Sequence, residues 1–153
     1  MDNIRDDASP PPGAPTRRFG GLVQKLRHAG LRPTRQRLAL ARLLFERGNQ
    51  HVCAEALYDE AQGANIPVSL ATVYNTLHQF TAAGLLREVA VAPGRFYFDT
   101  NLSDHHHFYF EATGVLEDIA GGHVVLARLP TPPEGTSIAR VDVVVRIAGT
   151  ARV

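Results

Sequence analysis

Cysteine is almost absent: Cys53 is the only one in 153 residues. A single thiol excludes an internal disulfide, a four-cysteine structural zinc site and a two-cysteine redox switch. Placed just ahead of an amphipathic segment, Cys53 reads as a half-buried, inert thiol. Long apolar runs are missing too. No stretch approaches the roughly 20 apolar residues of a membrane-crossing helix. Residues 1–18 carry Asp2, Asp6, Asp7 and four prolines with no apolar run, so a signal sequence or anchor is not expected there. A disordered arm over 1–18 and a cytoplasmic location are the expectations. Internal repeats are lacking as well.

Acid is scarce where base is dense. From Arg17 to Arg47 there are nine basic residues, eight of them arginine, against the one acid Glu46. The whole chain is only +1, so the remainder is acidic. A local excess carried almost wholly by arginine favours a phosphate backbone as partner over a merely solvated face. Hydrophobic content of 44% supports a core. Two cores cut from this length would each be small and would gain from burial in a dimer.

The pattern along the chain predicts four helices and then strands. A first helix over about 19–29 ends at Gly30. Thr34 caps a second, with Leu38, Ala41 and Leu44 on one face and Gly48-Asn49 as its stop. Ala54, Leu57, Tyr58 and Ala61 mark a third, with Cys53 as a poor cap. Ser69 caps a fourth, with the stripe Leu70, Val73, Leu77 and Phe80 and a close at Gly84. Leu86–Val91 alternates, 92–95 turns, and Phe96–Phe98 returns as a hairpin. Helices plus hairpin predict a winged helix-turn-helix over 19–98. A hinge over 99–104 and a mostly β domain over 105–153 follow, giving an α+β fold. Strands are predicted at His105–Phe110, Gly114–Ile119, His123–Leu129 and Ile138–Ile147. The last of these is β-branched enough to need a partner strand or an interface.

The fourth helix places Ala71, Thr72, Tyr74 and Asn75 near its N-terminus, the end that recognition helices present to base edges in the major groove. Asparagine pairs with adenine, and tyrosine or alanine can touch a thymine methyl. Arg35 and Arg37 suit phosphates at the start of the second helix. Arg95, at the hairpin tip, suits a narrow A·T-rich minor groove. In the second half, Asp99 to Phe110 reads as a strand, on which His105 and His107 share a face roughly 6–7 Å apart at Cα. Two imidazoles so placed can converge on one ion, while His106 points the other way.

Three ordered motifs give a more specific resemblance. They are Gly30-Leu31-Arg32-Pro33-Thr34-Arg35-Gln36-Arg37, then His51-Val52-Cys53-Ala54-Glu55-Ala56-Leu57-Tyr58, then Ala71-Thr72-Val73-Tyr74-Asn75-Thr76-Leu77. Over about residues 20–120 the chain resembles the ferric uptake regulator family. The resemblance implies a homodimeric, metal-responsive transcription factor with an N-terminal winged helix, a hinge and a C-terminal α/β dimerisation domain. It implies Tyr74 and Asn75 as base readers of an A·T-rich, pseudo-palindromic operator in double-stranded DNA, and Arg95 as the wing contact. It also implies an interdomain regulatory site at His51, Asp99, His105, His107 and Asp118. Such a donor set suits Fe(II), Mn(II) or Zn(II) without choosing among them.

Two departures narrow the resemblance. Where the family usually has a Cys-x-x-Cys pair, this chain has Phe110-Glu111-Ala112-Thr113. The Asp104-His105-His106-His107 run and the Arg140–Arg146 ending are similar to the iron response regulator branch, whose members respond to haem. The Cys-Pro haem motif of some of those members is absent, which leaves His105, His106 and His107 as haem candidates. A repressor of iron or haem homeostasis is the expected function, and not an enzyme. A manganese-, iron- or peroxide-responsive regulator of the same family is the alternative. A metal-dependent hydrolase built on the His-x-His strand and a haem carrier with a vestigial winged helix are the rivals from other classes.

Overall fold

The computed structural model describes residues 16–149 and the side chains of 20–149. The arm expected over 1–18 lies outside the described residues up to 15. The first helix, α1 (Thr16–His28), opens there and takes in Thr16, Arg17 and Arg18. Then come α2 (Arg35–Phe45), β1 (His51–Val52), α3 (Ala54–Gly63) and α4 (Leu70–Ala82). The strands β2 (Arg87–Ala92), β3 (Arg95–Asp99), β4 (His106–Phe110), β5 (Val115–Ile119) and β6 (Val144–Ile147) follow. The fold is α+β.

Local chemistry sets the helix ends. The Thr34 hydroxyl accepts from the Arg37 N–H, and the Ser69 hydroxyl accepts from the Thr72 N–H. Each satisfies one of the orphan donors of a first helical turn. Cys53 stands at the cap of α3 with no side-chain capping bond, as its weak thiol acceptor leads one to expect. α4 stops in a Schellman turn: Gly84 takes φ 77°, its N–H reaches the Thr81 carbonyl, and Leu85 N–H reaches Phe80. The apolar faces of all four helices meet in one core with Leu26, Leu40, Leu57, Leu77 and Phe80 wholly buried.

Two three-stranded sheets follow in the order β1-β3-β2 and β5-β4-β6. The first is antiparallel and forms the wing. The second is mixed, because β6 runs parallel to β4 with Val145 beside Phe108. The wing is seated on this second sheet through a small core of Val89, Val91, Tyr109 and Leu116, with Tyr97 and Val144 at its edge.

Several expectations are corrected. β1 is a two-residue strand that the sequence pattern does not predict. Asp99 ends β3 in the first sheet, and β4 begins only at His106, so Asp99 and the histidines do not share a strand. The intervening 100–105 is a loop, held by Asn101 N–H to the Asp99 carboxylate and Ser103 N–H to the Asn101 amide oxygen. His123–Leu129 forms no strand, and Val125 is 82% exposed. Alternation alone does not hold a strand without a partner, and the edge of β4 away from β5 is taken by β6. Of the Ile138–Ile147 run only Val144–Ile147 pairs; Arg140 and Asp142 instead turn their side chains to the first sheet.

Phe80 is wholly buried and stacks obliquely on Phe45, with ring centroids 6.1 Å apart. Phe80→Ala is expected to lower unfolding stability by about 3–5 kcal/mol, read by chemical denaturation. A loss below about 1 kcal/mol would mean the helical core is not the packed unit described.

Candidate metal centre

The register of the first sheet puts His51 of β1 beside Asp99 of β3. The register of the second puts His107 of β4 beside Asp118 of β5. Because the two sheets face each other across the wing core, these pairs meet, and His105 joins them from the loop just ahead of β4. One ligand atom from each of His51, Asp99, His105, His107 and Asp118 lies within 4.8 Å of all the others. All five residues of the expected set are therefore brought together.

Three imidazole Nε2 atoms face two carboxylate oxygens. Their distances to Asp99 Oδ2 are 2.8 Å for His105, 2.9 Å for His107 and 3.2 Å for His51. Their distances to Asp118 Oδ1 are 3.1, 3.3 and 2.8 Å in the same order. Asp99 and His107 are essentially inaccessible, His105 is buried, His51 is half-buried, and the Asp118 side chain leaves one side open. Donors bound to one divalent ion at about 2.1 Å and at right angles sit about 3.0 Å apart. That is the spacing observed.

Protons bear on the same contacts. The His105 Nδ1–H donates to the Ser103 carbonyl at 2.6 Å, since a carbonyl can only accept. A neutral His105 then turns the lone pair of Nε2 toward Asp99 Oδ2, lone pair against lone pair at 2.8 Å. A shared cation, either a proton or a metal, resolves that contact. Fixing of one ring nitrogen by a carbonyl is the usual outer support of a ligating histidine. Burial alone would raise the Asp99 pKa, yet hydrogen bonds from His107, His51 and the Asn101 N–H hold it far below the usual carboxylate range. Burial pulls His51 down, but the Asp99 and Asp118 carboxylates outweigh it and leave its pKa raised. The rings pack edge to face, with centroids 4.5 Å apart for His105–His107 and 5.2 Å for His51–His107.

His106 faces away from the cluster, where its Nδ1 accepts the Val143 N–H at 3.2 Å. Four further residues that sequence reasoning misses support the centre. Asn101 donates to Asp118 and Ser103 anchors His105. Arg87 and Asp142 form a buried-to-surface ion pair beside the loop. Arg87 is visible in principle, as a charge on the inward phase of an otherwise apolar alternation with Val89 and Val91.

The surface of α4 carries the expected reader residues. Ala71, Tyr74 and Asn75 are exposed on one face, and Thr72 sits at its edge with Oγ1 2.9 Å from Ser69. The Tyr74 hydroxyl donates to Glu55 of α3. Arg35 is exposed at the first residue of α2. Arg37 and Arg95 are placed differently from a simple phosphate or groove contact. Arg37 bridges to the Gln79 side chain at 3.0 Å and the Arg32 carbonyl at 2.9 Å. Arg95 is exposed, and its Nη1 donates to the Tyr109 hydroxyl at 2.8 Å. No helix among the described residues is long and apolar enough to cross a membrane.

Comparison with known proteins identifies the family. The ferric uptake regulator family model matches residues 28–128. The chain is 37% identical over 83 residues to the ferric uptake regulation protein of Legionella pneumophila, covering 54% of this chain and 61% of that one. It is 34% identical over 97 residues to the peroxide-responsive repressor PerR of Staphylococcus aureus, covering 63% and 64%. The match thus spans under two thirds of the length of these curated relatives. Among solved structures, the ferric uptake regulator of Pseudomonas aeruginosa with manganese superposes with a TM-score of 0.63 at 24% identity, over 85% of this chain and 98% of that one. The Vibrio cholerae regulator gives 0.64 at 22%, over 81% and 96%. The chain belongs to the ferric uptake regulator family.

Proposed function

We propose that the chain is a homodimeric transcriptional regulator of double-stranded DNA, not an enzyme. Its DNA affinity is set by a divalent cation held by His51, Asp99, His105, His107 and Asp118. The observation that carries this reading is the set of six N···O separations between 2.8 and 3.3 Å. His51 and Asp99 come from the sheet that continues the helical half, and His105, His107 and Asp118 from the second sheet and its leading loop. A cation gains its full donor set only when both halves hold one orientation, so binding biases that orientation. The three-nitrogen, two-oxygen set suits Fe(II), Mn(II) or Zn(II).

Ala71, Thr72, Tyr74 and Asn75 are the base-reading residues in this proposal, with Arg35 and Arg37 on the phosphates. Arg95 serves the minor groove of an A·T-rich, pseudo-palindromic operator once its contact with Tyr109 opens. The unit over 19–98 is the reader, 99–104 the hinge and 105–153 the dimerising and sensing part. Phe108, Phe110, Val145 and Ile147 are half-buried and share the sheet face opposite Tyr109, which suits a second copy. The protein works in the cytoplasm as a repressor of iron homeostasis genes. Phe110–Thr113 in place of a cysteine pair and the Asp104–His107 run support the iron response regulator branch. Haem is the lesser effector reading, because His105 and His107 aim into the carboxylates and only His106 stands outside them.

Two outcomes follow. Metal-free His51 holds its proton more tightly than an ordinary imidazole, and a ligand must be deprotonated. Mn(II) affinity is therefore expected to fall as pH drops, beginning above the ordinary histidine value of about 6.5, with proton release seen by calorimetry in two buffers. Equal affinity at about pH 6 and pH 8, with no proton release, would contradict His51 as a ligand. In the metal-free protein the raised His51 pKa adds stability at low pH that is lost as pH rises through it; the lowered Asp99 pKa does the reverse, adding stability that is lost as pH falls.

The regulator reading itself is tested by anisotropy with an A·T-rich duplex, titrated with Fe(II), Mn(II) and haem in turn. A change of about 5–150-fold with one of them is expected, abolished for the metals by His107→Ala, with binding weakened by Arg35→Glu and by added salt. Duplex affinity indifferent to all three effectors sinks the proposal, and turnover of a phosphoester or lactam would favour the hydrolase.

A further inference from the structure

On the inward face of β2 a charge stands in line with two apolar side chains: Arg87 is 4% exposed, beside Val89 and Val91 at 2% and 1%. Across the first sheet the register sets His51, Asp99 and Arg87 in one row. The guanidinium thus lies one strand beyond a residue of the centre, on the side that meets the second sheet.

Its hydrogen bonds go to the parts that build that centre. Nη1 donates to the Ser103 carbonyl and Nη2 to the His105 carbonyl, each at 3.1 Å. Nη2 also meets the carboxylate of Asp142, two residues ahead of β6. The Ser103 carbonyl is the same oxygen that accepts the His105 Nδ1–H. One buried cation therefore grips both peptide oxygens that fix this ligand, the one its ring donates to and its own. Nε of Arg87 is buried without a hydrogen-bond partner. Burying an arginine this way is costly, and an apolar residue in line with Val89 and Val91 would avoid the cost. What offsets it is the grip on the ligand loop and on Asp142.

We propose that Arg87 is a positioning residue of the metal centre. It acts through the Ser103 and His105 carbonyls to hold the His105 imidazole with Nε2 toward the other donors, and through Asp142 it ties that orientation to β6. The inference rests on the metal reading above. Asp142 is gripped from a second side by Arg140, Nε to Oδ2 at 2.9 Å, and Arg140 also reaches the Glu88 carbonyl of β2 at 3.4 Å. The loop, the wing and the segment before β6 are so joined in one charged seam.

Co(II) serves as the probe, because its visible absorption reports the donor set. In the full chain, Arg87→Gln is expected to bind Co(II) about 10–100-fold more weakly. Its spectrum should move toward that of His105→Ala, while the metal-free variant still melts cooperatively. Arg87→Lys keeps the charge but cannot fork to two carbonyls and a carboxylate, and should recover only part of the affinity. Parent-like affinity and spectrum in Arg87→Gln overturn the proposal. An unmutated chain that takes up no Co(II) overturns the metal reading instead. Should Arg87→Gln fail to fold, the unmutated chain carries the test: exchange of the Arg87 guanidinium protons and of the amides over 103–107 slows on Co(II) binding if clamp and ligand act as a unit. Guanidinium exchange indifferent to bound Co(II) overturns it.

Discussion

A single buried carboxylate oxygen, Asp99 Oδ2, has three imidazole nitrogens within 3.2 Å of it. Much of the arrangement serves that one point. Asp99 ends the middle strand of the first sheet, so β1 and β2 flank it and supply His51 and Arg87 as neighbours. Its other oxygen accepts the Asn101 N–H and starts the turn that leads the chain to the second sheet. A negative charge buried this deeply is tolerable only where cations or hydrogen-bond donors converge on it. The meeting of the two sheets is what delivers those donors.

The wing links this point to the helical half, whose core includes Leu86 and Phe98. Its inner face is part of the small core shared with the second sheet, and its tip arginine is engaged by Tyr109. Tyr97 donates to the Gly114 carbonyl along the same contact, where Gly114 takes φ 71° and a side chain would meet the Tyr97 hydroxyl at 3.4 Å. Arg37 similarly joins α2 to α4 through Gln79. Arg37 and Arg95 thus each hold two elements of the fold together.

Features governed by short-range chemistry are legible in the residues. Thr34, Ser69 and Gly84 mark helix ends because a hydroxyl or a missing Cβ acts within one turn. His105 and His107 carry a period that needs no partner to be noticed. Features that depend on distant partners are not legible in this way. Two residues of β1 show no period, and they are a strand only because β3 is there to pair. The pattern runs Asp99 into the histidine strand although Asn101 and Ser103, both turn formers, lie between. His123–Leu129 alternates well and stays irregular, since alternation describes a surface that could be half-buried and not one that is. The five-residue donor set follows from family resemblance and stands assembled in the fold; Arg87 breaks an apolar alternation with Val89 and Val91, and its contacts say what the charge is for.

The parallel pairing of β4 with β6 has a consequence for assembly. His107 and Val144 are partners although 36 residues separate them, whereas the helices meet near neighbours. Contacts of long sequence separation form late, after the entropy of closing the connection has been met. Pairing β4 with β6 therefore carries a larger closure entropy than packing one helix on the next. Of the five clustered side chains, His107 lies on the strand whose second flank depends on that long closure.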